Sequence, residues 1–519
     1  MEIQGFTSFN SSVSSLSSAN SRPQVQPQSE QVETAPTPEA VADQVSIAGE
    51  GDKKDGTVSL RILHINDVHG AALDEGGRGG MAKAATVFGQ EKASAPGEVL
   101  TVNTGDLAEG SMVSYLTKGG VISESMAQIG FDVVEPGNHD FVWGQEALHN
   151  MLEGTNATIL NASIVNDGDG STFGEPFLIR DVGGVKVGMI GLDVENMARY
   201  ISEEKLEGLE FRSSADTLRE YIPKAKEAGA DVIMVLSHIG FDEDKKIAQQ
   251  FPEIDLIVGG HSHTELQEGY YEGNTLIVQS GTKGQFVGEV DLELDLATKK
   301  IAGATARLIP VDESVEPDPQ VAAIIQKSID SVAEIGSRVM GVAEEDLSFS
   351  YFEQGKINQI HADSVMEATG ADLVIVSSRN PRGGVPKGEV TYEKLFNAFP
   401  HTEEDVVTMR CTGEMLLKEM EKRVSDDGRG AVTPAGFTYK YDKSRPNGER
   451  IYDIKMNDGS DFDPKKEYFV GTTISMARKF PQATDKKTIG SGQETFMEFF
   501  QKGGTWRDDP DARVIEAKH

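Results

Sequence analysis

Short apolar runs of four to six residues recur along the first half of the chain, and a potential metal ligand follows each of them. Runs of this length that are rich in Val and Ile predict buried strands. In an open α/β sheet, ligands bind beyond the carboxyl ends of such strands. The five runs and the polar residues that follow them are 61–66 before Asp67 and His69, 99–103 before Asp106, 132–135 before Asn138 and His139, 232–236 before His238, and 255–258 before His261 and His263.

The placement of histidine favours one shared site. A single Asp or His after a strand is more often a turn residue or a helix cap. Here, however, five of the ten His residues of the chain lie in these strand-end motifs. Scattered histidines would not cluster in this way, so the motifs together predict a shared metal centre.

The alternation of strands and helices predicts an α/β domain over residues 57–310. Helical spacing of apolar residues predicts helices at 80–93 and 214–228 between the strands. This order is typical of βαβ units. Residues 288–295 alternate between polar and apolar side chains with a period of two, which predicts a half-buried strand. We expect that strand to be the sheet edge that ends the domain.

A second α/β domain is predicted for residues 341–519. An apolar stripe at 318–339, preceded by a Pro-rich start signal, predicts a helix, and residues 311–340 are predicted to connect the two domains. The elements expected in the second domain are helices at 357–369, 392–398 and 413–424, and strands at 372–376, 451–456 and 467–472.

The first 56 residues are expected to be a disordered tail. They are rich in Ser at first and then in Pro, Gln and Glu, and such a composition buries too little surface to offset the entropy of ordering. The segment lacks the basic and apolar regions of a Sec-type signal peptide. A flexible tail is the simpler interpretation, and an uncleaved export signal of the type III or flagellar kind is the alternative.

Composition excludes several classes of function. A net charge of −35 and a sequence pI of about 4.7 repel phosphate backbones, so an extended nucleic-acid interface is not expected. Bound cations can invert the local field, so small anionic substrates remain possible. The single cysteine, Cys411, excludes an intramolecular disulfide and is predicted to be a buried apolar residue. No apolar run reaches 18 residues, so no membrane insertion is predicted.

The ligand types indicate which metals would bind. Asp, Asn and His without Cys suit Zn, Mn, Fe, Co or Mg. The set exceeds one coordination sphere, which favours two divalent ions that share Asp106. Two such ions a few ångströms apart can clamp a phosphate and generate hydroxide at neutral pH.

The motifs resemble those of the calcineurin-like metallophosphoesterases, and more closely the 5′-nucleotidase / UDP-sugar hydrolase family. The resemblance covers about residues 57–519. It implies a four-layer αββα metallophosphoesterase sandwich, a connector helix and a C-terminal α/β substrate-binding domain. The motifs that carry it, in family order, are Asp67-x-His69, Gly105-Asp106-x-x-x-Gly110, Gly137-Asn138-His139-Asp140, Ser237-His238 and Gly260-His261-Ser262-His263.

The resemblance implies a role for each motif residue. One metal would bind Asp67, His69, Asp106 and His263, and the other would bind Asp106, Asn138, His238 and His261. His139 would be the catalytic residue that stabilises the phosphoryl transition state or protonates the leaving group.

One departure from the family concerns His139. Family members usually carry an Asp three residues after this histidine, where it orients the ring. Here that position is Val142. Without a carboxylate the imidazole loses an electrostatic partner and its tautomer is less well fixed. Another acid could take this role, but the sequence does not identify one.

The match in the C-terminal domain is looser. The family has a Gly-rich loop with an Arg after a strand, and here the strand at 373–376 is followed by Arg379, Asn380 and Arg382, which we expect to bind the substrate. The family stacks the nucleobase between two aromatic rings, but the first of these positions falls near Ala431. Phe437, Phe480 and Phe496 are candidate replacements, although burial in the core is the alternative for each.

Taken together, the sequence predicts a dinuclear-metal phosphoesterase acting on a small phosphorylated substrate, a nucleotide or a related ester. A phosphodiesterase or UDP-sugar pyrophosphohydrolase of the same fold is an alternative. So is a catalytically weak structural or interaction protein, possibly of an export or flagellar system. The family resemblance favours work outside the cytoplasm, in the periplasm, at the surface or after secretion, in a bacterium. The sequence leaves metal identity and oligomeric state open.

Overall fold

A computed structural model describes most of the chain, namely residues 56–351, 354–400, 404–426, 428 and 430–517. The predicted tail, with its proposed export role, lies outside the described residues except for Gly56. The described residues belong to one compact body.

The first half of this body alternates strands and helices as the apolar runs predict. Its strands are β1 (Thr57–Ile65), β2 (Glu98–Thr104), β3 (Val133–Glu135), β4 (Thr158–Ile159), β5 (Ile164–Asn166), β6 (Phe177–Val182), β7 (Val185–Asp193), β8 (Leu209–Phe211), β9 (Val232–His238), β10 (Leu256–Gly259), β11 (Tyr270–Glu272), β12 (Thr275–Val278), β13 (Phe286–Asp295) and β14 (Ile301–Pro310). Its α-helices are α1 (Met81–Ser94), α2 (Met112–Leu116), α3 (Gly120–Ile129), α4 (Gln145–Gly154), α5 (Ser214–Glu227) and α6 (Phe241–Gln250). Short 3₁₀ helices span Asn138–Trp143, Met197–Arg199 and Glu203–Leu206.

Two mixed six-stranded sheets form the centre of this half. The first has the order β14-β13-β1-β2-β3-β4, and the second has the order β11-β12-β10-β9-β7-β6. Strands β1, β2 and β3 run parallel in the first sheet, and β7, β9, β10 and β12 run parallel in the second. Parallel strands point their carboxyl ends toward one edge, so the motifs that follow β1, β2, β3, β9 and β10 can meet.

Apolar side chains of the two sheets pack face to face. Leu60 and Ile62 of β1 share a buried cluster with Met189 of β7 and Met234 of β9. On the outer faces, α1, α3 and α4 cover the first sheet, and α5 and α6 cover the second. The expected αββα layering is confirmed.

The prediction that residues 288–295 form the sheet edge is wrong. Strand β13 lies between β1 and β14, so β14 is the edge strand. The alternation in β13 reports its two faces and not its place in the sheet. Its apolar residues point into the core between the sheets, whereas Asp291 on the other face binds the Arg61 guanidinium at 2.7 Å.

The second half begins with the helix predicted in the connector. Its α-helices are α7 (Pro319–Ser337), α8 (Lys356–Thr369), α9 (Tyr392–Ala398), α10 (Gly413–Arg423), α11 (Ile474–Ala477) and α12 (Gly492–Gly503). Its strands are β15 (Val339–Ala343), β16 (Leu373–Ser377), β17 (Gly388–Thr391), β18 (Asp405–Thr412), β19 (Val432–Ala435), β20 (Phe437–Tyr441), β21 (Ile451–Met456), β22 (Glu467–Thr473), β23 (Thr484–Ser491), β24 (Thr505–Trp506) and β25 (Val514–Glu516).

A mixed five-stranded sheet with the order β19-β16-β22-β18-β23 forms the centre of the second half. Helices α10 and α11 pack with one of its apolar clusters and helix α8 with another. Cys411 lies on β18 and is buried, as predicted. Among the described residues, no helix is long and apolar enough to cross a membrane.

Helix α7 touches both halves, since it packs against α1 and α3 on one side and against α9 on the other. Polar contacts add to this interface. Lys205 Nζ lies 3.1 Å from a carboxylate oxygen of Asp405. The Arg478 guanidinium donates to the backbone carbonyl oxygens of Arg199 and, at 3.2 Å, Ile201. Residues 199–205, which precede β9 along the chain, therefore contact the C-terminal half through these polar groups.

Candidate metal centre

The end of β1 and the loop after β10 bring together three of the predicted ligands. His263 Nε2 lies 3.2 Å from Asp67 Oδ1, and His69 Nε2 lies 3.8 Å from the same oxygen. The two imidazole Nε2 atoms are themselves 3.0 Å apart. These three side chains form one group whose ligand atoms converge on a small volume.

A second group forms where β2 and β9 end. His238 Nε2 lies 3.1 Å from Asp106 Oδ2, and His261 completes the group. The Nδ1 atom of His238 lies 2.7 Å from the carbonyl oxygen of Thr104. That carbonyl can only accept, so Nδ1 carries a proton and Nε2 is the nitrogen that faces Asp106. Outer contacts of this kind fix the tautomer of metal-ligating histidines.

Asp106 links the two groups. Its Oδ2 lies 3.1 Å from His238 Nε2 on one side and 3.8 Å from His69 Nε2 on the other. Its Oδ1 accepts a 2.8 Å hydrogen bond from the backbone N–H of His139, which keeps the adjacent Asn138 beside the same carboxylate. A carboxylate placed in this way can bridge two cations.

Several buried polar atoms in the described part of the chain make no hydrogen bond to protein, and they are the atoms a metal would use. They include Asp67 Oδ1, His238 Nε2 and Asn138 Oδ1. A buried polar group without a hydrogen bond is costly. The donor set of carboxylate, amide and imidazole suits divalent cations. The residues therefore fit the metal centre that the motifs predict.

The pKa shifts of the site residues also favour a bound cation. Burial opposes ionisation of Asp106, yet His238 and His139 lower its pKa well below the ordinary value. Burial likewise opposes the charged form of His238, but Asp106 raises its pKa well above the usual range. The pair therefore demands positive charge between Nε2 and the carboxylate, which a proton or a divalent cation can supply. Burial lowers the pKa of His261 to about 4, so that ring is neutral at pH 7, as a metal ligand must be.

The backbone at the ligands is strained. Asp67, His69, Asp106, His261 and His263 all have φ between 48° and 69°, the left-handed region that residues other than glycine rarely adopt. Such conformations cost of order 1–3 kcal/mol each and cluster at functional sites. Five of the seven predicted ligands share this feature, so the fold holds them in place against a local conformational cost.

Close backbone packing explains two glycines of the motifs. A Cβ on Gly137 would approach the backbone nitrogen of Asp106 to 2.3 Å. A Cβ on Gly105, whose φ is 82°, would approach the His238 ring to 2.4 Å. Larger residues at either position would push the second group of ligands apart.

Carboxylates and amides next to the ligands fix the loops that carry them. Asp140 accepts the backbone N–H groups of Gly137 at 2.9 Å and Leu107 at 2.8 Å, which joins the loops after β2 and β3. Asp67 Oδ2 accepts from the Asn66 side chain at 2.6 Å, which orients this ligand. Burial and the nearby Asp106 raise the pKa of Asp140 to about 7.

The structure reveals one residue of the site that the sequence did not identify. Glu109 Oε2 lies 3.0 Å from His139 Nδ1, at ion-pair distance. The Glu109 side chain is 6% exposed, whereas that of His139 is 24% exposed. The position of Glu109, three residues after Asp106, was the only available signal, and sequence spacing alone does not show where such a side chain points.

Val142 offers His139 no carboxylate in place of the family Asp. It is buried and lines a cleft of about 250 Å³ between the two halves, together with Tyr115 and Trp143. The departure noted in the sequence therefore stands, and the acid beside His139 comes from a different loop.

The predicted substrate-binding residues of the C-terminal half follow β16 as expected. Arg379 is exposed and its guanidinium lies over the Tyr351 ring, 5.7 Å from the ring centre. Arg382 is also exposed and donates from Nη1 to the Arg379 carbonyl at 3.0 Å. Asn380 is 4% exposed, and its side-chain nitrogen makes no hydrogen bond within the described residues. Two guanidinium groups and an amide donor are thus present on one loop.

The three candidate stacking phenylalanines are buried. Phe437 and Phe480 are each 2% exposed in the core around β18 and β22, and Phe496 is fully buried in the core around α12. A ring packed on both sides has no face to offer a nucleobase, so this geometry does not support the stacking role, and the alternative of core packing describes all three. Ala431 is buried as well.

Comparisons with known proteins agree with this architecture. The family model of the calcineurin-like phosphoesterases, which use divalent metals, matches residues 60–265. The model of the 5′-nucleotidase C-terminal domain matches residues 338–479. The chain thus carries a calcineurin-like phosphoesterase domain followed by a 5′-nucleotidase C-terminal domain.

Individual relatives cover much of the chain. It is 31% identical over 462 residues to endonuclease YhcR of Bacillus subtilis, a match that takes in 81% of this chain and 37% of the relative. It is 27% identical to the 5′-nucleotidase of Vibrio cholerae over 67% of this chain and 72% of that protein. The chain thus spans little more than a third of the Bacillus relative. A putative 5′-nucleotidase structure from Staphylococcus aureus superposes with a TM-score of 0.76 at 19% identity, covering 89% of this chain and all of that one, which supports the fold.

Proposed function

We propose that the protein is a dinuclear-metal phosphoesterase that hydrolyses nucleotides or closely related phosphate esters. The observation that carries this proposal is the position of Asp106, whose Oδ2 faces His238 on one side and His69 on the other. A carboxylate shared by two imidazole-bearing groups is the arrangement a two-metal centre requires.

The ligands divide into two sets. Asp67, His69 and His263 with Asp106 would hold one divalent ion, and Asn138, His238 and His261 with Asp106 would hold the other. Ions bound there would supply Lewis-acid chemistry, neutralising the charge of a phosphate ester and activating water. The metal identity among Zn, Mn, Co, Fe and Mg does not follow from these ligands.

His139 is proposed as the catalytic residue at the rim of the centre. Its ring lies edge-on to His69 at a centroid separation of 5.0 Å and contacts Glu109 through Nδ1. With Nδ1 facing Glu109, Nε2 is proposed to face a bound ester, where it would donate a proton or hydrogen bond to a phosphoryl or leaving-group oxygen. General acid or electrostatic help of this kind typically contributes 10²-fold or more.

The C-terminal half is proposed to bind the rest of the substrate. Arg379 and Arg382 offer exposed guanidinium groups, which suit phosphate or carboxylate, and the buried Asn380 amide offers an unused donor. In this division of labour residues 57–310 hold the metals, residues 311–340 connect, and residues 341–519 select the ester.

A phosphodiesterase activity is the second candidate. The Bacillus relative at 31% identity is named an endonuclease, and endonucleases cleave diesters. Against a polynucleotide substrate stands the net charge of −35, which repels an extended phosphate backbone. Small diesters and UDP-sugars would not meet this repulsion to the same extent.

A hydrolysis panel tests the proposal. Purified protein with Mn²⁺, Zn²⁺ or Co²⁺ would be assayed on nucleoside monophosphates, cyclic nucleotides, UDP-sugars and bis(p-nitrophenyl) phosphate. We expect release of phosphate from monophosphates, and loss of that activity in Asp106→Asn. Asp291→Asn serves as the matched control, because that carboxylate pairs with Arg61 on the outer face of the first sheet.

The outcomes are distinct. Preference for bis(p-nitrophenyl) phosphate or UDP-sugars would favour the diesterase candidate. No hydrolysis of any ester by metal-loaded protein would instead favour a structural or interaction role for the retained fold.

We also propose that the protein works outside the cytoplasm, where members of such a family would meet free nucleotides. Fractionation of the native host with an antibody to the protein tests this. Recovery only in the cytosolic fraction would overturn it.

A further inference from the structure

Glu109 is held rigidly where it meets His139. On the N-terminal side, the Leu107 and Ala108 N–H groups both donate to Asp140 Oδ1, at 2.8 and 3.2 Å. The Ala108 carbonyl also accepts from Ser114 Oγ at 2.6 Å, which ties the loop to α2. The carboxylate of Glu109 thus follows directly after two anchored residues, Leu107 and Ala108.

The contact places a buried carboxylate at ion-pair distance from the His139 ring. A buried carboxylate such as that of Glu109 needs a partner that offers positive charge or a donated proton. His139 Nδ1 lies 3.0 Å away, and Val142, one turn further along the same 3₁₀ helix, is apolar. The side chain that faces Nδ1 therefore fixes a proton on that nitrogen and the orientation of the ring.

We propose that Glu109 is the positioning residue of His139, keeping a proton on Nδ1 and fixing the ring plane so that Nε2–H is directed at the phosphate ester. The inference rests on the proposed function for its kinetic consequence. The proton on Nδ1 and the orientation of the His139 ring can be tested whether or not the protein turns over substrate.

Glu109 also lies near His69, and these two side chains and that of His139 form a third group that could hold a metal ion. A role as a metal ligand would make a different prediction, because its removal would then lower metal content. A positioning residue leaves the metal in place and changes only the ring.

The first test is nuclear magnetic resonance of zinc-loaded full-length protein carrying ¹⁵N-labelled histidine. The His139 signals are assigned by their loss in His139→Ala. In the wild type we expect a proton on Nδ1, and in Glu109→Ala we expect lower occupancy of that Nδ1 proton, seen as a changed Nδ1 chemical shift. His139 shifts that are identical in wild type and Glu109→Ala would overturn the proposal, whether or not the protein hydrolyses esters.

The second test is a double-mutant cycle in turnover. Glu109→Ala should lower kcat about 10- to 100-fold, the range typical of lost outer-shell partners, with KM changed less than about threefold. In the His139→Ala background the same substitution should change kcat less than about twofold, because the group it positions is gone. An equal loss in both backgrounds, or a loss of bound zinc, would contradict a role exerted through His139.

Two further variants control for folding. Glu109→Gln keeps an acceptor oxygen of the same reach without the charge, so its kcat should fall between wild type and Glu109→Ala. Glu289→Gln removes another buried carboxylate, one paired with Arg61 and Arg307 away from the centre, and should leave kcat unchanged. Inactive wild-type protein would refute the proposed function, whereas active protein insensitive to Glu109→Ala would refute this inference alone.

Discussion

The Nε2 atoms of His69 and His263 lie 3.0 Å apart, and their rings are inclined at 67°. Two nitrogens of a tetrahedral zinc site would be separated by about 3.3 Å, given Zn–N bonds of about 2.0–2.1 Å. The residues come from the first and the fifth strand-end motif, almost two hundred positions apart. Their convergence therefore shows that the two sheets jointly build one ligand group.

Removing His139 should impair catalysis without emptying the centre. The side chain contacts Glu109, while its backbone N–H holds Asp106, and alanine keeps that backbone bond. We expect His139→Ala to lower kcat by about 10²-fold or more. Metal content, measured by inductively coupled plasma mass spectrometry, should stay within error of the wild type. A variant that turns over normally would exclude His139 as the catalytic residue.

Replacing Val142 with the Asp found in the family should change turnover little. In the sequence, the position of the family Asp that partners His139 is occupied by Val142, and Val142→Asp would restore that carboxylate. Glu109 Oε2 already lies 3.0 Å from Nδ1 of the ring, and a second carboxylate would compete with it for the same ring. We expect steady-state kcat to change by less than about threefold, or ~0.6 kcal/mol. A tenfold gain would mean that the contact with Glu109 does not serve catalysis.

Selectivity among nucleobases should be weak. Stacking on an aromatic ring contributes about 1–3 kcal/mol per base, and Phe437, Phe480 and Phe496 are buried away from any ligand. We expect kcat/KM for AMP, GMP, CMP and UMP to lie within about tenfold of one another. A preference above about a hundredfold would reveal a clamp built from other rings, for which Phe349 and Tyr351 beside Arg379 are the first candidates.

His64 should make the fold sensitive to acid. Burial lowers its pKa from the ordinary 6.5 to about 3, so the folded protein keeps the ring neutral where the unfolded chain binds a proton. Its contribution to stability is complete above pH 6.5 and is lost as the pH falls toward 3. For one such group the loss between pH 7.5 and pH 4.5 is about 2–3 kcal/mol.

Urea unfolding of chelator-treated protein measures this effect without a contribution from metal release. His64→Leu replaces the ring with an apolar side chain of similar volume, so its unfolding free energy should fall less over that pH interval, by about the same 2–3 kcal/mol. Parallel pH profiles for the two proteins would show that His64 does not titrate as its burial requires.

The sequence predicted the elements that carry the ligands because apolar runs and their flanking motifs are local signals. Helix α9 has the bounds expected from its apolar spacing, and β1, β2, β9 and β10 end where the motifs begin. The placement of β13 was not local information. Its alternation depends on which face is buried, and strand order depends on pairing partners far along the chain.

The remaining differences arise at the scale of single side chains. The left-handed backbone at His69 and His263 follows from how their loops close, which residue type alone does not reveal. Glu109 could be recognised only once the loop after β2 was seen beside the 3₁₀ helix that carries His139. Phe437 and Phe496 show the opposite problem, because an aromatic residue suits a core and a binding site equally well until its packing is known.

The number of divalent ions bound per chain is the most direct test of a two-metal centre bridged by Asp106. Metal content per chain would be determined for wild type, Asp106→Ala and the matched control Asp291→Ala, all prepared without chelator and dialysed against the same Mn²⁺ or Zn²⁺ buffer. Because Asp106 Oδ2 faces both ligand groups, we predict two ions per chain in the wild type and the control, and loss of both together in Asp106→Ala. One ion or none in the wild type, or two ions retained by Asp106→Ala, would contradict a centre bridged by this residue.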